Sequence, residues 1–148
     1  GKEGVYINAG RKFATAAALV ASKGKQTNIF LNHPVTVLAK DSTSADATAN
    51  NLFQTVANDA ATALTDIENA VEGVAYRIIL GSTTNGTTIA KSGKFSNITA
   101  AFEPSAVGDY LEVIYNPTTS KFIELKRKVA GTVAVNDDAV APEYVEQN

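Results

Sequence analysis

The chain has 148 residues, of which 45% are hydrophobic and 19% are charged, and its formal charge is −2 at pH 7. A chain of this length buries a core of its own as one domain. The near-neutral charge offers no basic surface to a polyanion, so we expect neither nucleic acid nor an anionic membrane as a partner. Because cysteine is absent, disulfides, thiolate zinc sites and cysteine nucleophiles are excluded.

Residues 1–27 are predicted to form an N-terminal segment with one short helix. Residues 11–23 are rich in good helix formers, and Gly24 follows where a C-terminal cap is expected. The alanine-rich run at 14–21 is too short to cross a bilayer and has basic neighbours, so no transmembrane helix is predicted. The chain begins at Gly1 without a methionine, which indicates a processed or truncated end.

Residues 28–128 are predicted to form a β domain. Its first strands are expected at 29–31 and 35–38, and residues 41–51 are polar and alanine-rich, which is typical of a surface loop. Residues 62–71 fit two structures equally well. A helix would place Leu64, Ile67 and Val71 on one face, whereas the threonine and asparagine content fits strands and turns.

The second half of this domain contains two turn signals. Asn85 and Gly86 lie between apolar segments at 76–80 and 87–90 and form a pair favoured in type I′ turns, which predicts a hairpin or a tight corner. A β-hairpin is predicted from strict alternation at 109–115 and 121–128, joined by the five-residue loop 116–120.

The patterns together predict a mainly β fold with a short N-terminal helix and a C-terminal β-hairpin. Residues 129–148 are acidic toward their end and are predicted to form an extended C-terminal tail. The β domain fits either a β-sandwich or a few β-solenoid-like rungs, and the sequence does not separate these two architectures.

The stretch from 67 to 128 has a recognisable order of features. Residues 67–73 read Ile-Glu-Asn-Ala-Val-Glu-Gly, and an apolar strand, a polar turn and Thr-Ile-Ala follow. Residues 107–116 then read Val-Gly-Asp-Tyr-Leu-Glu-Val-Ile-Tyr-Asn, and residues 122–125 read Phe-Ile-Glu-Leu. This order resembles the rung and closing-hairpin segments of bacteriophage and prophage fibre, spike and head-decoration proteins. Phe122 stands where such endings usually have tryptophan.

The resemblance implies a non-enzymatic structural module of a virion, either a head-decoration or a tail-fibre domain. Proteins of this kind are commonly homotrimers that also contact other virion proteins. The alternative is a carbohydrate- or surface-binding module of a bacterial cell-envelope protein, which would be a monomer with an exposed aromatic platform for a surface glycan. A glycan-cleaving spike fragment ranks third, because a catalytic β-helix needs many more rungs than this chain can form.

Few side chains suggest catalysis. His33 is the one histidine and lies in a turn, and the local sequence supplies neither a nucleophile nor an orienting carboxylate. If residues 62–71 were helical, Glu68 and Glu72 would share a face close to Asp66, as an acid pair for glycoside hydrolysis requires. Solvated acids beside an apolar stripe are the commoner cause of such a pattern, so we expect no enzyme and no catalytic residue.

Other polar clusters offer candidate binding sites. Asp41 with Asp46, and residues 136–138, offer oxygen ligands without the spacing or the glycine of an EF-hand loop, so we expect no metal and no cofactor. A basic cluster fits either an acidic partner surface or protection of an exposed edge strand by lysine. Its members are Lys121, Lys126, Arg127 and Lys128.

Three aromatic residues of the predicted hairpin allow two interpretations. Tyr110, Tyr115 and Phe122 could line a sugar-binding face, since aromatic rings stack on the apolar surfaces of sugars. Packing into the core of the hairpin is the commoner arrangement, and the sequence therefore identifies no binding residue.

Overall fold

The computed structural model of the protein describes residues 34–139. The predicted helix at 11–23, the predicted strand at 29–31 and His33 lie outside these residues. The described part is mainly β, as predicted, and contains eight strands, one 3₁₀ turn at Gly93–Phe95 and helical residues at 137–139, within the segment predicted to be an extended tail. The strands are β1 (Thr36–Val37), β2 (Ser44–Asp46), β3 (Leu52–Gln54), β4 (Asp66–Glu68), β5 (Ala75–Ile79), β6 (Tyr110–Asn116), β7 (Lys121–Val129) and β8 (Thr132–Val135).

The strands form two sheets. The larger sheet has six strands in the order β1-β3-β5-β6-β7-β8, and the smaller sheet pairs β2 with β4. Among the described strands before β6, the pairing is parallel, since β1 pairs with β3, β3 with β5, and β2 with β4. The chain therefore passes from the larger sheet to the smaller one and back, and each pass lies beside the previous one.

Strand β2 lies inside the segment 41–51 that the sequence predicts to be a surface loop, so this prediction is wrong. Ala45 and Ala47 are buried, and Asp46 between them is exposed. Alanine is small enough to pack where the two sheets approach each other, but it is a poor strand former, which hides the alternation. Strand β2 is stabilised by its parallel pairing with β4, in which Ala45 lies beside Ile67.

The ambiguous segment 62–71 contains strand β4 and no helix. Leu64 and Ile67 are buried, whereas Val71, the third residue of the possible helical face, is 56% exposed. At Asn85 and Gly86 the chain turns a corner and does not form a hairpin. Thr88 bridges to Ala63 and Ile89 bridges to Phe102, so neither returns to β5.

The second half of the large sheet is an antiparallel meander. The predicted hairpin is present as β6 and β7, with Tyr115 opposite Phe122. The ladder shifts between Glu112 and Val113, whose partners on β7 are Lys126 and Glu124, so Leu125 is an extra residue on β7. The predicted alternation fails beyond this bulge because one inserted residue exchanges the two faces of the strand.

The sheet continues past residue 128, where the sequence predicts the β domain to end. Ala130 and Gly131 have φ values of 53° and 84°, and together they form a two-residue turn between Val129 and Thr132. Turns of this kind favour asparagine or glycine, and the alanine at 130 weakens the signal in the sequence. Strand β8 therefore pairs with β7 within the segment predicted to be an extended tail.

The main core lies between the two sheets and the loop that connects β5 to β6. The large sheet contributes Phe53, Ile78 and Leu111, and Ile67 comes from the small sheet. The rings of Phe95 and Phe122 stack with their centroids 4.9 Å apart. A smaller cluster on the opposite face of the large sheet consists of Ala75, Ile114 and Leu125, with Ile123 and Ala139 packed against it.

Candidate assembly surface

The exposed apolar side chains concentrate at the two edges of the large sheet. Among residues 34–139, six valines are large hydrophobic residues with exposed side chains, and four of them lie on or directly beside β1 and β8. The four are Val35 (45% exposed), Val37 (58%), Val133 (52%) and Val135 (58%). Most of the exposed valines of the described part thus lie at the edges of the large sheet.

The backbone of β8 has one side free of described partners. Opposed residues in an antiparallel ladder alternate between hydrogen-bonded and non-hydrogen-bonded pairs. The N–H of Asn136 donates to the carbonyl of Leu125 at 2.7 Å, which fixes the alternation: Ala134 also bonds toward β7, and Val133 and Val135 direct their N–H and C=O groups away from it. No described strand lies on that side.

Strand β8 also lacks the usual protection of a free edge. Natural edge strands are blunted by lysine, proline or bulges, which discourage pairing with another chain. Thr132–Val135 reads Thr-Val-Ala-Val, all four residues are exposed, and the ladder with β7 has no irregularity there. Within the described residues, this edge is therefore open to another strand in both its backbone and its side chains.

Asp109, in contrast, is a buried carboxylate that stabilises the fold. It is 1% exposed, and its Oδ2 accepts hydrogen bonds from the N–H groups of Ser105 (2.9 Å), Ala106 (3.0 Å) and Ala130 (2.9 Å). Burial raises the pKa of the carboxyl, but these N–H groups outweigh it and hold the pKa below its usual value. Asp109 thereby ties the loop before β6 to the turn before β8.

A second buried carboxylate, Glu124, pairs with Arg127 across the bulge. Its Oε1 accepts from Arg127 Nη2 at 2.8 Å and from the N–H of Thr99 at 3.1 Å. The guanidinium of Arg127 also donates to the carbonyls of Ala100 and Ala101. Burial raises the pKa of Glu124, but the hydrogen bonds from Arg127 and Thr99 lower it by more than burial raises it. The pKa of Glu124 is therefore below its usual value. This pair attaches the loop at 97–102 to β7.

The third buried carboxylate, Glu112, lies on the opposite face of the large sheet. Arg77 donates to Glu112 Oε2 through both Nε and Nη2, and its guanidinium lies 4.2 Å from the ring centroid of Tyr110. Arg77 and Glu112 are direct cross-strand neighbours on β5 and β6. All three buried carboxylates therefore accept hydrogen bonds from partners within the chain.

The acid pair considered from the sequence does not assemble. Glu68 ends strand β4 and is exposed, and Glu72 is exposed beyond the following turn, so no helix aligns the two. Asp66 forms an ion pair with Lys94 at 3.0 Å. These acids do not converge in a groove.

The oxygen ligands considered for a cation serve as turn anchors. Asp46 Oδ1 accepts from the N–H and hydroxyl of Thr48 and from the side-chain amide of Asn69. Asp41 Oδ1 accepts from the N–H of Asp59 at 2.9 Å. Across residues 34–139 no group of three or more histidine, cysteine, aspartate or glutamate side chains is placed to hold a metal ion.

The basic cluster does not line an edge of the sheet. Strand β7 lies between β6 and β8, so Lys126 and Lys128 project from an internal strand, and protection of an edge by these residues is a wrong prediction. Arg127 belongs to the ion pair with Glu124, and Lys121 donates to the carbonyl of Gly93 at 3.1 Å. The cluster is dispersed over both faces of the strand.

The three aromatic residues of the hairpin do not form a platform. Phe122 is fully buried between Phe95 and Tyr115, whose ring centroid lies 5.1 Å from that of Phe122. Tyr110 is half-buried against Arg77, on the other face of the sheet. A flat, exposed stacking surface for sugar is therefore not made by these residues.

A shallow groove lies between the start of β3 and the loop after β4. It has a volume of about 260 Å³, and the Tyr76 hydroxyl at its wall accepts from the N–H of Val71 at 2.8 Å. Asn51 also lines it and donates to the carbonyl of Ala75, while its buried Oδ1 has no hydrogen-bond partner within the described part. No charged side chain lines this groove.

Sequence reasoning missed the three buried carboxylates and the free edge. Glu112 and Glu124 each lie within an apolar strand segment, and an acid at such a position signals a buried ion pair. Their partners are an arginine inside an apolar strand and an arginine three residues downstream. The sequence does not predict the edge, because Thr-Val-Ala-Val at 132–135 lies in the segment predicted to be an extended tail.

Comparison with known proteins provides no relative. No protein-family model matches the chain, and no curated protein or solved structure matches it. Within residues 34–139, no helix has the length and apolar character needed to span a bilayer.

Proposed function

We propose that this protein is a non-enzymatic structural module of a virion, of the head-decoration or tail-fibre type, and that it acts by assembling with copies of itself and with other virion proteins. The observation that carries the proposal is the surface at the two edges of the large sheet. Among residues 34–139, exposed valines lie at both edges, and the outer backbone groups of β8 have no described partner. Such edges suit contacts between subunits better than recognition of a small ligand.

The parallel half of the chain supports an architecture of stacked rungs. β1, β3 and β5 lie side by side in one sheet, and β2 and β4 lie side by side in the other. We propose that each pass through both sheets is one short solenoid-like rung and that the antiparallel meander closes the stack. Stacked rungs leave open ends and edges that neighbouring subunits can cover.

The buried ionisable groups support a structural and not a catalytic role. A general acid at neutral pH needs a raised pKa, whereas the pKa values of Asp109 and Glu124 are lowered by internal hydrogen bonds. Each of these carboxylates connects separate segments of the chain. The location in a virion is proposed from the resemblance of residues 67–128 to phage proteins. The same resemblance makes a homotrimer the favoured assembly.

The alternative of a carbohydrate-binding module of the cell envelope has less support. It needs an exposed aromatic platform, and Phe122 is buried while Tyr110 and Tyr115 lie on opposite faces of the sheet.

The proposal is tested by the molar mass of the protein in solution. Light scattering coupled to size exclusion, over a hundredfold dilution series, is expected to show a closed oligomer that survives dilution. A monomer at every concentration would contradict the proposed self-association. Mass spectrometry of virus-like particles purified from the source organism tests the virion itself: peptides of this chain are expected in the particle fraction, and their absence there would contradict the assignment.

A further inference from the structure

We infer that β8 is a self-association site, where it pairs antiparallel with β8 of a second copy about a two-fold axis that passes through Ala134. This inference rests on the self-association in the proposed function, and it names a two-fold contact, which closes a dimer and not the trimer that the resemblance favours. It would join the large sheets of two copies into one continuous sheet.

The backbone of β8 is complementary to itself. Val133 and Val135 direct their N–H and C=O groups away from β7, and Ala134 directs its groups toward β7. In a two-fold antiparallel pair centred on Ala134, Val133 lies opposite Val135 of the second copy. Both residues of that pair then exchange their free N–H and C=O groups as a hydrogen-bonded pair. No free donor or acceptor of these valines remains.

The side chains are compatible with the same register. Directly opposed residues of an antiparallel ladder lie on the same face, so Val133 of one copy packs beside Val135 of the other. These side chains are 52% and 58% exposed, and pairing removes apolar surface from water on both copies. Ala134 lies on the axis, in the closer non-hydrogen-bonded spacing, where a small side chain avoids a clash with its own copy.

The charges next to the edge do not oppose this pairing. Strand β8 carries no charge, and the nearest basic side chains on the same face are Lys126 and Lys128 of β7. Across the joined sheet the two β7 strands are three strand spacings apart, about 14 Å. That separation exceeds the Debye length of about 8 Å at physiological ionic strength, so the repulsion is largely screened.

A single introduced cysteine tests the register directly, because the chain has no cysteine of its own. In the proposed pair the two Ala134 Cα atoms are about 4.5 Å apart, within the range that a disulfide spans. Ala134→Cys is therefore expected to form a disulfide-linked dimer under mild oxidation with copper phenanthroline, seen by non-reducing gel electrophoresis.

Thr132→Cys is the matched control. Thr132 is exposed on the same face and the same strand, but it lies opposite Asn136 of the second copy. The two copies of residue 132 would be about 14 Å apart, which a disulfide cannot span. We expect cross-linking at least tenfold slower than for Ala134→Cys. Equal cross-linking rates at the two positions, or none at either, would overturn the inference.

Lysine substitutions distinguish the two-fold contact from a head-to-tail ring. Val135→Lys places a charge on β8, and Val37→Lys places the same charge on an equally exposed valine of β1, the opposite edge. If Val135→Lys abolishes the dimer and Val37→Lys does not, the inference is supported. If each single substitution abolishes it, β8 pairs with β1 and the inference is overturned. A wild-type trimer that Val135→Lys leaves intact would contradict the β8 contact and keep the proposed function. If the β8 dimer forms in solution but the protein is absent from virus-like particles, the β8 contact is supported and the proposed virion function is contradicted.

Discussion

The parallel half of the chain and the antiparallel meander are stabilised in different ways. Strands β1 to β4 have two or three residues each, whereas β6 and β7 have seven and nine. Short ladders contribute few backbone hydrogen bonds, so the parallel half relies on buried side-chain amides such as Asn51 and Asn58 that bond distant backbone groups. The meander relies on long ladders, a large aromatic core and buried ion pairs.

The comparison shows why only one half is visible in the sequence. The β6–β7 hairpin could be predicted because Leu111, Val113 and Tyr115 alternate regularly and the partner strand is adjacent in the chain. Strands β2 and β4 could not, because each is three residues long and pairs with a segment more than fifteen residues away. For such strands the position is set by the tertiary partner and not by local preference.

The candidate site was hidden for a related reason. Residues 132–135 form a run of only four residues with small side chains, and an acidic segment follows directly. Such a short run is a weak signal for a strand. The bulge at Leu125 was equally hidden, because an inserted residue leaves the apolar content of β7 unchanged and alters only which side chains face the core. The ion pair of Glu124 with Arg127, and not with Lys126, depends on it.

The largest expected effect is loss of the aromatic core beneath the meander. Phe122→Ala removes a fully buried ring that packs on Phe95 and Tyr115. We expect the free energy of unfolding to fall by about 4 kcal/mol, as is usual for a phenylalanine removed from a packed core. Urea denaturation measures it, with Val71→Ala at a 56% exposed position as the control. A loss below about 1 kcal/mol would contradict the packing described for this ring.

Asp109 is expected to have the next largest effect, because it joins the loop before β6 to the turn before β8. Asp109→Ala removes a buried carboxylate that accepts hydrogen bonds from three backbone N–H groups, and we expect a loss of about 3 kcal/mol in the free energy of unfolding. Asp59→Ala is the matched control, since the Asp59 carboxylate is 70% exposed and forms an ion pair with the exposed Lys40. Equal losses for the two variants would argue against the anchoring role.

Asn58 tests the parallel half by the same measurement. Its side chain accepts from the N–H of Asp41 (2.7 Å) and donates to the carbonyl of Asn85 (2.8 Å) and to the hydroxyl of Thr87 (3.0 Å). We expect Asn58→Ala to lower the free energy of unfolding by about 2 kcal/mol. Hydrogen exchange is expected to accelerate in β1 to β4 and to remain slow in β6 and β7. Uniform acceleration would mean that the two halves are not distinct.

The smallest expected effect is a dependence of stability on pH in the meander. The pKa values of Asp109 and Glu124 are lowered in the folded protein, so the stability they contribute is present above their ordinary values of about 4 and is lost as the pH falls toward the lowered ones. Urea midpoints at pH 7, 5, 4 and 3 are expected to fall below about pH 5. Glu124→Gln is expected to flatten this fall, and an unchanged slope would show that Glu124 does not contribute.

The pairing of β5 with both halves of the large sheet has a consequence for the order of folding during synthesis. β5 lies between β3 and β6, and its partner residues on β6 run from Tyr110 to Ile114. The parallel half is synthesised first. Its strand β5 can pair along its whole length only after β6 has emerged, and β6 in turn pairs with β7. Because long loops must close before parallel strands pair, we expect the meander to fold first and to template the rest. A ribosome stalled before residue 110 would therefore hold a chain that exposes the core face of β3 and β5 to other nascent chains.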